Sequence, residues 1–164
     1  MKRYLYSVIC ILSVLTVLFS SCEKTPQNTP ETFASDKARP TWTAIEQSDM
    51  SSSMTAVVKV DLKAQYPESA ADFVLNEGDL LAAFSGETCL GTATLQDGLF
   101  FLYIAGQTSN SDSGLTSKSD AVTLRYYSAH YKNLFEAKDA FPFVNDNHLG
   151  TVAEPLICNF ALLK

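Results

Sequence analysis

The chain has 164 residues, 18 of them acidic and 12 basic, for a formal charge of −6. That length suits a single domain, since domains cluster near roughly 100–150 residues, and an apolar share of 46% excludes wholesale disorder. The acidic balance argues against nucleic acid as a partner, because such binding needs a basic face to displace counterions from phosphates.

Met1-Lys2-Arg3 is followed by an apolar run from Tyr4 to Phe19. A short basic start and an apolar stretch ending in small residues predict a secretion signal. The run is short of the roughly 20 residues that a membrane span needs. Ser20 and Ser21 then precede Cys22. This order resembles the lipobox of bacterial lipoproteins, in which the cysteine is lipidated and becomes the new N-terminus. The resemblance implies a signal peptide over residues 1–21 and a lipid on Cys22 that anchors the chain to a membrane without spanning it. Cys10 leaves with the signal. Glu23 stands where many lipoproteins retained in the inner membrane carry aspartate, so the same resemblance points to the outer membrane, on either its periplasmic or its extracellular face.

Residues 22–40 contain Pro26, Pro30 and Pro40 among mostly polar neighbours, with Phe33 as the one large apolar side chain. Such a stretch buries too little to offset its ordering entropy, and it reads as a flexible tether. Residues 41–164 then read as one domain with a period of two. Met54, Ala56, Val58, Val60 and Leu62 alternate with polar or exposed positions, as expected of a strand with one buried face. Leu80–Phe84 is a short apolar run. Thr88–Leu95 places Cys89, Gly91, Ala93 and Leu95 on one face. Asp97-Gly98 is a strong hairpin signal, because both central residues of a type I′ turn need positive φ. Leu99–Ile104 is apolar in both phases and reads as a central strand with Phe101 in the core. Ala121–Tyr127, Tyr131–Ala137, the Pro142-bearing edge Phe141–Val144 and Leu156–Leu162 complete about 8–9 strands. No stretch sustains a 3.6 period. The expected fold is therefore all-β, an antiparallel sandwich with Greek-key or jelly-roll connections, with a closed β-barrel as the alternative.

The order Gly78-Asp79-Leu80-Leu81-Ala82-Ala83-Phe84, Gly86, Cys89-Leu90-Gly91, Val122-Thr123-Leu124-Arg125-Tyr126-Tyr127, Phe141-Pro142-Phe143 and Leu149-Gly150-Thr151 resembles a β-sandwich module of surface lipoproteins and secreted proteins of Gram-negative gut-type bacteria. These are turn and core signatures, so the resemblance implies fold and location and leaves activity open.

Few residues carry chemistry. Cys89 and Cys158 both point inward by strand phase. In an oxidising compartment they can pair as a disulfide, or stand apart as two core thiols. His130 and His148 are the only histidines, and they lack the local spacing of a zinc site. Asn145-Asp146-Asn147-His148 reads as an Asx-type turn rather than a calcium loop. Nucleophile, phosphate-loop and dinucleotide motifs are missing, so neither an enzyme nor a cofactor is expected. The loop Gly106–Ser119, with five serines and two threonines, reads as disordered. Tyr103, Tyr126, Tyr127, Tyr131 and Phe135 fall on adjacent predicted strands. If Tyr127, Tyr131 and Phe135 share the outer face, they form a platform on which sugar rings can stack. The sequence thus supports a non-catalytic, membrane-anchored binding module at the cell envelope, with a glycan in an uptake system as one ligand. The alternative is a structural or assembly protein packing against another surface protein.

Overall fold

The computed structural model describes residues 32–46, 51–106 and 121–164. Cys22, most of the expected tether, and the serine-rich loop after Gly106 lie outside these residues. Strand makes up 44% of the described residues, with almost no helix among them. The elements are β1 (Ser53–Lys59), a single helical turn α1 (Leu62–Gln65), β2 (Leu80–Ser85), β3 (Thr88–Gln96), β4 (Leu99–Ala105), β5 (Ala121–Ser128), β6 (Asn133–Ala137), β7 (Phe141–Pro142), β8 (His148–Leu149), β9 (Leu156–Ile157) and β10 (Phe160–Leu162). They form one ten-stranded sheet in the order β10-β6-β5-β2-β3-β4-β1-β8, with β7 on β5 and β9 on β1. The sheet curls into a half-barrel. This differs from the expected antiparallel sandwich in two ways. The strands make one continuous sheet instead of two stacked ones, and β1 pairs in parallel with both β8 and β9. The curl stops short of the alternative closed barrel, because β10 and β8 end the sheet without meeting.

The inner face of the curl is the core. Met54, Ala56 and Val58 of β1 sit against Phe100, Leu102 and Ile104 of β4, and Leu81, Ala83, Leu124, Tyr126, Phe135 and Phe160 continue it. The hairpin between β3 and β4 turns as expected, with φ of 49° at Asp97 and 79° at Gly98. In β4, however, Phe100 is buried and Phe101 points outward, the reverse of the expected phase. Leu99–Ile104 is apolar at every position except Tyr103, so its own pattern cannot choose a face. The cross-strand partners choose it. Val58, on the inward phase of β1, pairs with Phe100.

The segment expected to be a tether is the largest departure. Residues 32–46 belong to the domain. Phe33 is buried, edge-on to Tyr66, Tyr131 and Phe135 at 5.0, 5.7 and 5.3 Å. The Ser35 and Lys37 amides donate to the carbonyls of Tyr131 and Lys132 at 2.8 and 3.0 Å. Asn133 Nδ2 donates to the Phe33 carbonyl at 2.9 Å. The strap then crosses the outer face of the sheet. Tyr127 donates its hydroxyl to the Lys37 carbonyl at 3.1 Å, Arg39 Nε donates to the Gly78 carbonyl at 2.9 Å, and Trp42 packs edge-on to Phe84 at 5.5 Å. Hence Leu80, Ala82 and Phe84, which face away from the core, are nevertheless buried.

One carboxylate is buried with them. Asp79 accepts from Tyr126 Oη at 2.7 Å and from the amides of Asn76 and Ala129 at 3.0 and 2.8 Å. It ties the start of β2 to the turn after β5. Burial raises its carboxyl above the usual 3.8, and this outweighs the two amides and the phenol that favour the charged form.

Three outcomes test this architecture. Phe33→Ala should cost about 3–5 kcal/mol in a urea melt; a loss within the range of a surface substitution, about 0.5 kcal/mol, would show that residues 32–46 do not pack on the sheet. Phe100→Ala should cost a similar about 3–5 kcal/mol and Phe101→Ala less than about 1 kcal/mol, and the opposite ranking would mean that β4 is flipped. Asp79 should titrate with a midpoint above 3.8 by carboxyl-detected NMR. Because its pKa is higher folded than unfolded, its proton-linked stabilisation is full below 3.8 and lost as pH rises through the folded midpoint. A midpoint at or below 3.8 would contradict the dominance of burial.

Candidate functional site

The expected ring platform does not form. Tyr127, Tyr131 and Phe135 are all buried, and for three different reasons. Phe135 alternates inward and meets Phe33 and Tyr126 in the core. Tyr127 does face outward, but the strap covers it. Tyr131 lies in the turn before β6 instead of on the strand, stacked on Phe73 at 6.1 Å, with its hydroxyl donating to Asp72 Oδ1 at 2.8 Å. No single surface holds the three rings.

A different aromatic pair is exposed. Phe101 and Tyr103 are 43% and 42% accessible, two residues apart on β4. Register places Thr55 opposite Tyr103 and Val57 opposite Phe101 on β1. Beyond β1, His148 of β8 pairs with Thr55, and its Nδ1 lies 2.6 Å from Thr55 Oγ1. On the other flank, Thr92 and Thr94 of β3 pair with the outward Ala82 and Leu80, so they continue the same face. Thr55, Val57, Phe101 and Tyr103 line a shallow hollow of about 300 Å³. No charged side chain lines it. Lys59, which ends β1, pairs with Ile157 of β9 and is not part of the lining. The backbone beneath is tightly held: a Cβ at Gly91 would collide with the Tyr103 carbonyl oxygen, so only glycine lets β3 approach there. This is the uncovered half of the outer face, and the strap covers the other half.

The remaining reactive groups are engaged structurally. Cys89 and Cys158 are free thiols. In β3 the register shifts so that Cys89 pairs with Phe84 and Gly91 with Ala83, leaving Leu90 as the extra residue. The bulge sends Leu90 into the core and turns Cys89 to the outer face, whereas Cys158 packs against the core. The expected inward phase of Cys89 fails there, and with it the geometry for pairing. Burial pushes the Cys89 thiol up and that of Cys158 up to about 11, so neither is a thiolate at neutral pH. Arg125 is spent on Glu87 at 3.1 Å, Glu136 at 2.9 Å and the face of Phe84 at 4.3 Å. Asp72 accepts from Tyr131 and lies 3.3 Å from His130 Nε2, with its carboxyl held below the usual range by those bonds. The Tyr131 phenol is pushed up by burial and by Asp72, so it offers no base near neutrality. Asn145 and Asp146 form a turn ahead of His148 in β8, with Asp146 at φ 58° and Asn145 Oδ1 accepting from the Ser53 amide at 3.0 Å. Among the described residues, no three of His, Cys, Asp and Glu gather as metal ligands.

Sequence reasoning missed Phe101 as an exposed residue and placed Tyr103 only within a general aromatic group. The available signal was the threonines of β1 and β3, whose phase marks the outer face. Compared with known proteins, the chain matches no family model, no curated protein and no solved structure.

Proposed function

We propose that the chain is a non-catalytic binding module, held at the outer membrane by a lipid on Cys22, and that it binds through the bare face of β4 and β1. One observation carries this reading. Phe101 and Tyr103 remain in water on a rigid sheet whose other half is covered by the chain's own strap. Exposed aromatics that converge on a hollow are the usual anatomy of a binding site. Support for a non-catalytic role comes from Cys89, Cys158 and Tyr131, whose protons burial holds on at neutral pH, and from Arg125, which is paired with Glu87 and Glu136. The anchor rests on the order of basic start, apolar run and Ser20-Ser21-Cys22. No helix among the described residues is long and apolar enough to cross a membrane.

A second reading, packing against another surface protein, draws on Ile157 and Val152, which are 64% and 66% exposed. Ile157 lies beside Lys59 on the same outer face. Apolar side chains left in water there suit a protein partner.

Cys22→Ala should convert the chain from a membrane-bound to a soluble exported form. Fractionation checks this: a variant that still sediments with membranes after a salt wash would show that Cys22 does not carry the anchor.

A further inference from the structure

We infer that Tyr103 and Phe101 are a stacking site for a neutral sugar chain lying along β4, an inference that rests on reading this face as the binding surface. Two residues apart on one strand, their Cα atoms are about 6.7 Å apart, a spacing on the scale of one pyranose ring and its linkage. Both side chains project from the same face, since alternate residues do. Each ring therefore offers an apolar plane to the C–H face of a successive sugar.

The surroundings select the ligand class. Hydroxyl groups flank the rings on both sides, from Thr55 on β1 and from Thr92 and Thr94 on β3, and the His148 imidazole sits beside Thr55. The threonine hydroxyls are uncharged donors and acceptors, suited to the hydroxyls of a sugar. The hollow has no charged lining to pair with a phosphate, sulfate or carboxylate. The chain as a whole carries a charge of −6, which repels anions and leaves a neutral ligand unaffected. A hollow of about 300 Å³ falls at the small end of the range of small-ligand sites. Rigidity completes the argument. Tyr103 stands where β3 presses on β4 through Gly91, so its backbone loses little further freedom on binding.

The test is calorimetry on the full chain in a sugar-free detergent, against neutral oligosaccharides cut from β-glucan, xylan, mannan and arabinan. Wild type should bind at least one with micromolar to millimolar affinity. Tyr103→Ala and Phe101→Ala should each weaken binding at least tenfold with unchanged thermal melts. Tyr103→Phe, which keeps the ring, should stay within about threefold of wild type. In wild type, the sugar should shift the NMR amide signals of Thr55, Val57, Phe101 and Tyr103, a readout that needs no variant. Binding that survives both alanine variants, or shifts that fall elsewhere, would overturn this site while leaving a binding module in place. No heat from any sugar would overturn the ligand class. If Ile157→Asp at the same time released a co-purifying surface protein, the assembly reading would replace the binding module itself.

Discussion

A curled sheet can close only its inner face upon itself, and the whole molecule is arranged around that limit. Ten strands supply two faces, and the apolar residues of β2 and β5 occupy both. Leu81, Ala83 and Tyr126 bury themselves in the curl, but Leu80, Ala82, Phe84 and Tyr127 need a separate cover. The polypeptide from Phe33 to Trp42 is that cover. It enters the core once, through Phe33, and then holds the outer face mainly through backbone and side-chain hydrogen bonds. With the strap in place, β2 is a two-sided core strand. Without it, one face of the best-packed strand would be in water.

Asp79 shows the same limit in polar form. Its carboxylate stands where β2 begins, between the loop from Asn76 and the turn at Ala129, and three donors converge on it. Buried polar groups survive only when satisfied, and among the described residues no buried side-chain polar atom is left without a partner. Arg125 closes the far end of the same sheet region, its guanidinium lying on Phe84 and braced by Glu87 and Glu136. At the exposed rim these ion pairs contribute little to stability by themselves. Their effect is to fix where the covered face stops.

Features set by local rules were legible in the sequence. The period of two in Met54–Lys59 and the Asp97-Gly98 turn follow from side-chain alternation and positive φ, and both can be read from neighbours in the chain. Three features depend on distant partners and could not be. The strap is polar enough to look like a linker, and only the sheet beneath it makes Phe33 a core residue. The bulge at Leu90 reverses the phase of Cys89 through a register shift against β2, which no pattern within β3 reveals. Leu99–Ala105 is nearly all apolar, so the choice between Phe100 and Phe101 belongs to β1. The candidate site falls on that ambiguous strand. Its aromatics were visible in the sequence and their exposure was not, because exposure is decided by where the strap ends.

Under the proposed anchor on Cys22, the strap would also set the leash. A tether running to Pro40 would let a domain roam on a chain of about 60 Å at full extension. Phe33, seated in the core, follows Cys22 by 11 residues, a length of chain that at about 3.5 Å each reaches at most about 38 Å. A domain lipidated at Cys22 would therefore be confined to a thin layer over the bilayer, unable to sample ligand beyond it. Confinement of this kind raises the local concentration of one membrane-bound partner for another. A module anchored in the proposed way would be better suited to receiving what neighbouring membrane components deliver than to foraging at a distance.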